Sequence, residues 1–133
     1  MTIKSLKTVR DYVKFNELQK PKDYFVICPH TNIKVSNKDL RKNLDKINYY
    51  LTVQKKQKKG SIICTLIENS LSSIHLMLGI MYSGMIQVPL NIVAGEEQLS
   101  YVVNHSDAKI IFVSLNYLDL AQRITSKASR DIE

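Results

Sequence analysis

Apolar residues along this chain fall into two patterns, helical stripes and short β-rich runs. The longest stretch without a formal charge lies between Glu68 and Glu96. Just before it stands Ile62-Ile63-Cys64-Thr65-Leu66-Ile67, apolar on both alternating faces apart from Thr65, as a strand buried on both sides would be. Glu68-Asn69-Ser70 interrupts the run, with Asn69, Ser70, Ser72 or Ser73 available to cap the following helix. Residues 71–86 then carry two stripes at helical spacing, Ser72, His75, Gly79 and Ser83 against Ile74, Leu78, Met81 and Met85. Two stripes suit a helix held between two layers. Ile86 to Leu90 reads as a short strand with Pro89 at its end or on an edge.

The flanking segments follow the same logic. Residues 5–18 predict an amphipathic helix with Leu6, Val9 and Val13, and the neighbouring Tyr12, on one face. Thr8 with Asp11, or alternatively Ser5, supplies its cap, and Pro21 stops it. Tyr24 to Cys28 and Ile33 to Val35 form a hairpin through a turn at Pro29 to Asn32. From Ser36, the candidate N-cap with Asp39 in the first turn, Leu40, Leu44, Ile47 and Leu51 make one apolar stripe. Lys38, Arg41, Lys42 and Lys46 occupy the other faces, and Lys55 to Gly60 are expected to close the helix, glycine taking the left-handed exit. A helix from Gly95-Glu96-Glu97 buries Leu99, Val102 and Val103 and ends near Asn104 to Asp107. Lys109 to Val113 predicts a buried strand. Residues 115–128 predict a last helix with Leu118, Ala121 and Ile124 or Thr125 inward, and Ser129 to Glu133 read as frayed.

This order predicts an α/β fold: a parallel-type sheet with flanking helices, preceded by a helix and a β-hairpin. At 133 residues the chain is expected to form one domain or part of one. A membrane helix is the rival for the uncharged stretch. His75, the serines at 70, 72, 73 and 83, Gln87 and Pro89 dilute its apolarity, so a sheet with its covering helix is preferred.

Charge adds one asymmetry. Of a net +7, residues 1–60 carry 15 basic and 5 acidic side chains, and residues 61–133 carry 4 and 7. A basic half can meet nucleic acid or anionic lipid. Lysine predominates and aromatics do not interleave with the basic run, so a solvated surface is the preferred reading, and neither nucleic acid nor a membrane is expected as a partner. Cys28 and Cys64 form no CxxC and read as buried thiols of a reducing compartment. No secretory signal opens the chain, so the cytoplasm is expected.

Catalytic chemistry is sparse. The glycines at 60, 79, 84 and 95 make no phosphate-cradling motif. Glu96-Glu97 are adjacent and point apart on a helix, and His105-Ser106-Asp107 cannot take triad geometry as neighbours. His30, His75 and His105 have no metal-ligand spacing. His30 reads as a turn residue and His75 as a packed, hydrogen-bonded one.

From Thr8 to Ser114 the chain resembles the start of the adenylate-forming superfamily: acyl-CoA synthetases, luciferases of the firefly type and peptide-synthetase adenylation domains. The resemblance rests on the order of its pieces. After the opening helix, Val35-Ser36-Asn37-Lys38-Asp39-Leu40 is similar to the family's Thr-Tyr-x-Glu-Leu helix start. Lys58-Lys59-Gly60 precedes a strand and Glu68-Asn69-Ser70 precedes a helix. Ser83-Gly84 is followed by Val88-Pro89-Leu90-Asn91, then by Glu96 to Tyr101 and His105 to Lys109. Ser61 stands where an aspartate is common, and Ile92-Val93-Ala94-Gly95 lacks a frequent proline, leaning toward acyl-CoA synthetases.

The resemblance implies an incomplete N-terminal subdomain of the adenylate-forming fold, spanning 1–133 as a single partial domain. The family joins ATP and a carboxylic (fatty) acid into an acyl-adenylate, from which a thiol such as that of CoA displaces AMP. ATP, Mg2+ and CoA belong to the intact family, and none is expected on this chain alone. The phosphate-holding loop, adenine motif, ribose-binding aspartate and catalytic lysine of the family would lie beyond Glu133, so no catalytic, cofactor-binding or metal residue is carried over. Expected partners are the remainder of a split ligase, or self-association through an exposed sheet. An interaction module derived from the fold is the alternative.

Overall fold

The structure, a computed structural model, describes residues 5–133. It divides into two compact units, one of the described residues up to Gln57 with Ile74–Gly84, the other of Lys58–Ser73 with Met85–Glu133.

In the first unit, α1 (Val9–Gln19) begins with a reciprocal cap. The Asp11 backbone N–H donates to Thr8 Oγ1, and the Asp11 carboxylate accepts from the N–H groups of Thr8 and Lys7. Thr8 rather than Ser5 is therefore the cap. Val13 is buried, whereas Tyr12 is half exposed. Strands β1 (Tyr24–Cys28) and β2 (Ile33–Ser36) pair antiparallel, with an irregularity between Tyr24 and Val26. Asn32 takes the left-handed conformation in their turn.

Helix α2 (Asn37–Tyr49) starts as its sequence predicts, with the Asp39 N–H donating to Ser36 Oγ. Leu40, Leu44 and Leu51 are completely or almost completely buried and Ile47 half-buried. The helix ends differently from expectation. It widens into a π-helical turn, Tyr50–Gln54, and the left-handed exit falls on Lys56. Gly60, also left-handed, serves a separate turn in which Ser61 N–H donates to Lys58 O.

The third helix, α3 (Leu71–Tyr82), is capped by Ser70, whose Oγ accepts from the Ser73 N–H while Ser73 Oγ accepts from the Ser70 N–H. Within the first unit its buried side is Gly79, Ile80, Tyr82 and the following Ser83. The expected apolar stripe is half-buried at Ile74 and Leu78 and exposed at Met81, while Met85, past the end of the helix, is buried. Of the small stripe Gly79 and Ser83 face inward, with Ile47 directly against Gly79, whereas Ser72 is exposed.

The second unit is built on a parallel sheet in the order β4-β3-β5, with β3 (Ile62–Leu66) central, β4 (Ile86–Pro89) on one side and β5 (Ile110–Val113) on the other. Ile63, Cys64 and Leu66 are fully buried, as a central strand requires. Pro89 ends an edge strand, where a missing N–H costs no ladder bond. Helices α4 (Glu96–His105) and α5 (Leu118–Ser126) close a core of Cys64, Leu66, Leu99, Val103, Ala121 and Ile124. A 3-10 turn, Leu115–Tyr117, precedes α5, which rotates Leu118 outward, against expectation.

The C-terminal residues are also more ordered than expected. Glu133 pairs with β5 through its N–H to Lys109 O and its carbonyl from the Ile111 N–H. Arg130 donates to the carbonyl oxygens of Val103, Asn104 and Ala108 at 2.6, 2.9 and 2.8 Å. Those carbonyls end α4 and the turn after it, where helix geometry leaves acceptors unpaired. Among the described residues no helix is long and apolar enough to cross a membrane.

Candidate functional site

In open parallel sheets, ligand sites form at the carboxyl ends of strands where the direction of strand addition reverses. The sheet of the second unit has one such place. The chain runs from β3 to β4 on one side, then crosses to β5 on the other. The carboxyl ends of β3 and β5 are therefore neighbours that lead their connections in different directions.

Glu68 follows β3 at this place, and Ser114 and Asn116 follow β5. Ser114 N–H extends the ladder to Leu66 O, which brings its side chain level with Glu68. Ser114 Oγ donates to Glu68 Oε2, and Asn116 Nδ2 approaches Glu68 Oε1 at 3.4 Å. The Ser114 hydroxyl is the main reason the Glu68 carboxyl is held below its ordinary range. Glu68 is therefore ionised at neutral pH and a poor proton acceptor. On the β4 side, Asn91 Oδ1 accepts from the Val93 N–H and Leu90 N–H donates to Thr65 O.

This arrangement can receive a hydroxyl or N–H donor, since a carboxylate has acceptor capacity beyond two bonds. A fixed negative charge repels phosphate, and holding phosphate needs amides or cations aimed at it. Among the described residues no group of three or more His, Cys, Asp or Glu side chains is placed to hold a metal ion.

The residues considered from sequence do other things. His105 stacks on Tyr101 with ring centroids 5.5 Å apart, and Ser106 Oγ donates to Val103 O, so His105, Ser106 and Asp107 form no relay. Glu96 pairs with Arg123 and Lys127 at 2.9 and 2.6 Å, across α4 and α5. His75 approaches Asn43 Nδ2 at 3.5 Å, and burial pushes its pKa down. Cys64 is buried and its thiol pushed up by desolvation, with Ser106 Oγ 3.5 Å away. Such a thiol is unreactive.

Sequence reasoning missed the Glu68–Ser114 pair. Glu68 stood out as the one charge at the head of the uncharged stretch, but nothing local to it points 46 residues ahead to Ser114.

No curated protein matches the chain. Its fold is similar to that of the Mycobacterium tuberculosis fatty acyl CoA synthetase, with a TM-score of 0.82 and 16% identity over 94% of this chain and 26% of that one. The inhibitor-bound N-terminal domain of FACL13 from Mycobacterium tuberculosis gives 0.82 and 16%, over 96% of this chain and 33% of that one. ATP-bound MatB from Rhodopseudomonas palustris gives 0.79 and 20%, over 95% and 24%. The chain thus spans about a quarter to a third of the length of these structures, and at these identities the likeness is one of fold. The AMP-binding enzyme family matches residues 15–132, nearly the whole described chain, so the protein belongs to the family of AMP-binding enzymes.

Proposed function

We propose that this chain is the opening part of an acyl-CoA-synthetase-type ligase and contributes scaffold rather than catalytic groups. In the whole enzyme a carboxylate oxygen would attack the α-phosphorus of ATP and release pyrophosphate. A thiolate would then attack the acyl carbon and release AMP. The observation that carries the reading is the family match over residues 15–132, together with a sheet whose switch point holds an anionic, hydrogen-bonded Glu68. Phosphate handling would fall to residues outside this chain, with Mg2+ and CoA engaged there. The cytoplasm is the compartment in which ATP and CoA are at hand.

Two measurements test this. The purified chain should give no acid-dependent pyrophosphate release, and acyl-adenylate formed by it alone would overturn the scaffold role. The DNA directly downstream of codon 133 should encode a Ser/Thr/Gly-rich loop ending in lysine, in the same or an adjacent frame. Its product, co-expressed with this chain, should form AMP in a reaction that needs both acid and CoA. If no such loop is encoded there, the ligase reading fails for this locus.

A second reading draws on the exposed Val93 and Leu115, at 86% and 88%, which follow β4 and β5. An interaction module would use such side chains to dock on a partner. Self-association visible by sedimentation, abolished by Leu115→Ser, would favour it over the ligase scaffold.

A further inference from the structure

The outward face of α2 carries a linear device that the ligase reading does not use. Lys38, Lys42 and Lys46 succeed each other one turn apart, and Tyr49 and Val53 continue the row into the π-helical turn. All five are exposed, Tyr49 at 55% and Val53 at 53%. The row is about 20 Å long at 1.5 Å per residue. Among the described residues none of the three lysines has a carboxylate within ion-pairing distance. The nearby acids are engaged: Asp45 accepts from Arg41 Nε and from the Tyr82 hydroxyl, and Asp39 is held at the Ser36 cap. The row therefore presents three ammonium groups outside any ion pair, and it ends in an amphipathic ring and an aliphatic side chain.

We propose that this face of α2 is a docking surface for an anionic lipid bilayer. Lysines on long stems suit the headgroup layer, and tyrosine and valine suit the boundary below it. The only arginine of the helix, Arg41, is held by Glu17 and Asp45, so the face lacks the planar forks that read phosphate chains and base edges. This favours a lipid surface over nucleic acid. The inference rests on α2 alone and stands apart from the ligase reading.

The test is co-sedimentation of the chain with vesicles of phosphatidylcholine, alone or mixed with phosphatidylglycerol. The chain should pellet with the mixed vesicles at low salt and be released as salt shortens the screening length. K38Q/K42Q/K46Q should weaken that partition on the order of a hundredfold, given the contribution of each lysine near a charged surface. Y49S should weaken it less, and Lys109→Gln should leave it unchanged. Lysine and glutamine have similar helix propensity, and a far-ultraviolet spectrum of the triple variant verifies its fold. Equal pelleting with neutral and mixed vesicles, an unaffected triple variant, or binding to a DNA duplex without binding to the mixed vesicles would each overturn the proposal.

Discussion

A Cβ placed on Gly79 would lie 2.6 Å from Ile47 Cγ2 and 2.9 Å from Ile47 Cβ. The second distance matters more, since a Cβ is fixed to its helix and cannot swing aside. Gly79→Ala should therefore destabilise the first unit by about 1–3 kcal/mol through overpacking. The better helix propensity of alanine returns about 1 kcal/mol at most. Thermal unfolding should show a lower midpoint, and Ile47→Ala introduced alongside should recover part of it.

Ser114→Ala should raise the pKa of Glu68 toward its ordinary value of 4.5, because the serine hydroxyl is the largest cause of the depression. The sign of the stability effect follows from linkage. A carboxyl whose pKa is lowered in the folded state stabilises the fold above 4.5 and loses that contribution as pH falls through the folded value. Asp11 and Glu96 are lowered in the same sense, so the difference between wild type and variant is the quantity to measure. That difference should shrink on acidification below 4.5, and an NMR titration of the Glu68 side chain should show the shift directly.

Arg130→Ala should remove three donors from the carbonyls of Val103, Asn104 and Ala108. Hydrogen bonds from a charged donor contribute about 1.5–3 kcal/mol each at most, and water will replace part of them at an exposed helix end. A loss of about 1–3 kcal/mol in urea unfolding is expected. Lysine should rescue little, since one ammonium cannot reproduce a guanidinium fork spread over three carbonyls.

Tyr82 should be among the last tyrosines to ionise. Burial, then the hydrogen bond to Asp45 Oδ1 at 2.7 Å, push its phenol up to about 12. A raised value for a neutral acid stabilises the fold below the ordinary value of 10.0, and that stability is lost as pH climbs from there toward about 12. Absorbance titration of wild type against Tyr82→Phe should remove the highest-pH step. Phenylalanine keeps the ring that lies 4.6 Å under the Arg10 guanidinium, so the fold should survive.

Element types and their order were legible in the sequence. The stripe Leu40, Leu44, Leu51, the caps at Thr8 and Ser36, and the doubly buried strand 62–66 depend on neighbours within a few residues. Local spacing is enough to determine which side of such an element is apolar. The parallel pairing followed too, because alternating strands and helices leave few other ways to bury a strand on both faces. The adenylate-forming resemblance was legible from the order of weak motifs, and the family match agrees with it.

Tertiary structure decided what depends on residues far apart in the chain. It set β5 beside β3 rather than beside β4, and so brought Ser114 to Glu68. It turned Gly79 and Tyr82 inward and Met81 outward, because Ile47 fits against a glycine and Asp45 accepts from a tyrosine. It ordered Arg130 and Glu133, polar residues that no periodicity marks, by offering them helix-end carbonyls with acceptor capacity left and an open strand edge. Hydrophobic spacing reports which face of an element is buried. Which residues meet on that face is fixed by shape and by hydrogen-bond partners that only the assembled chain supplies.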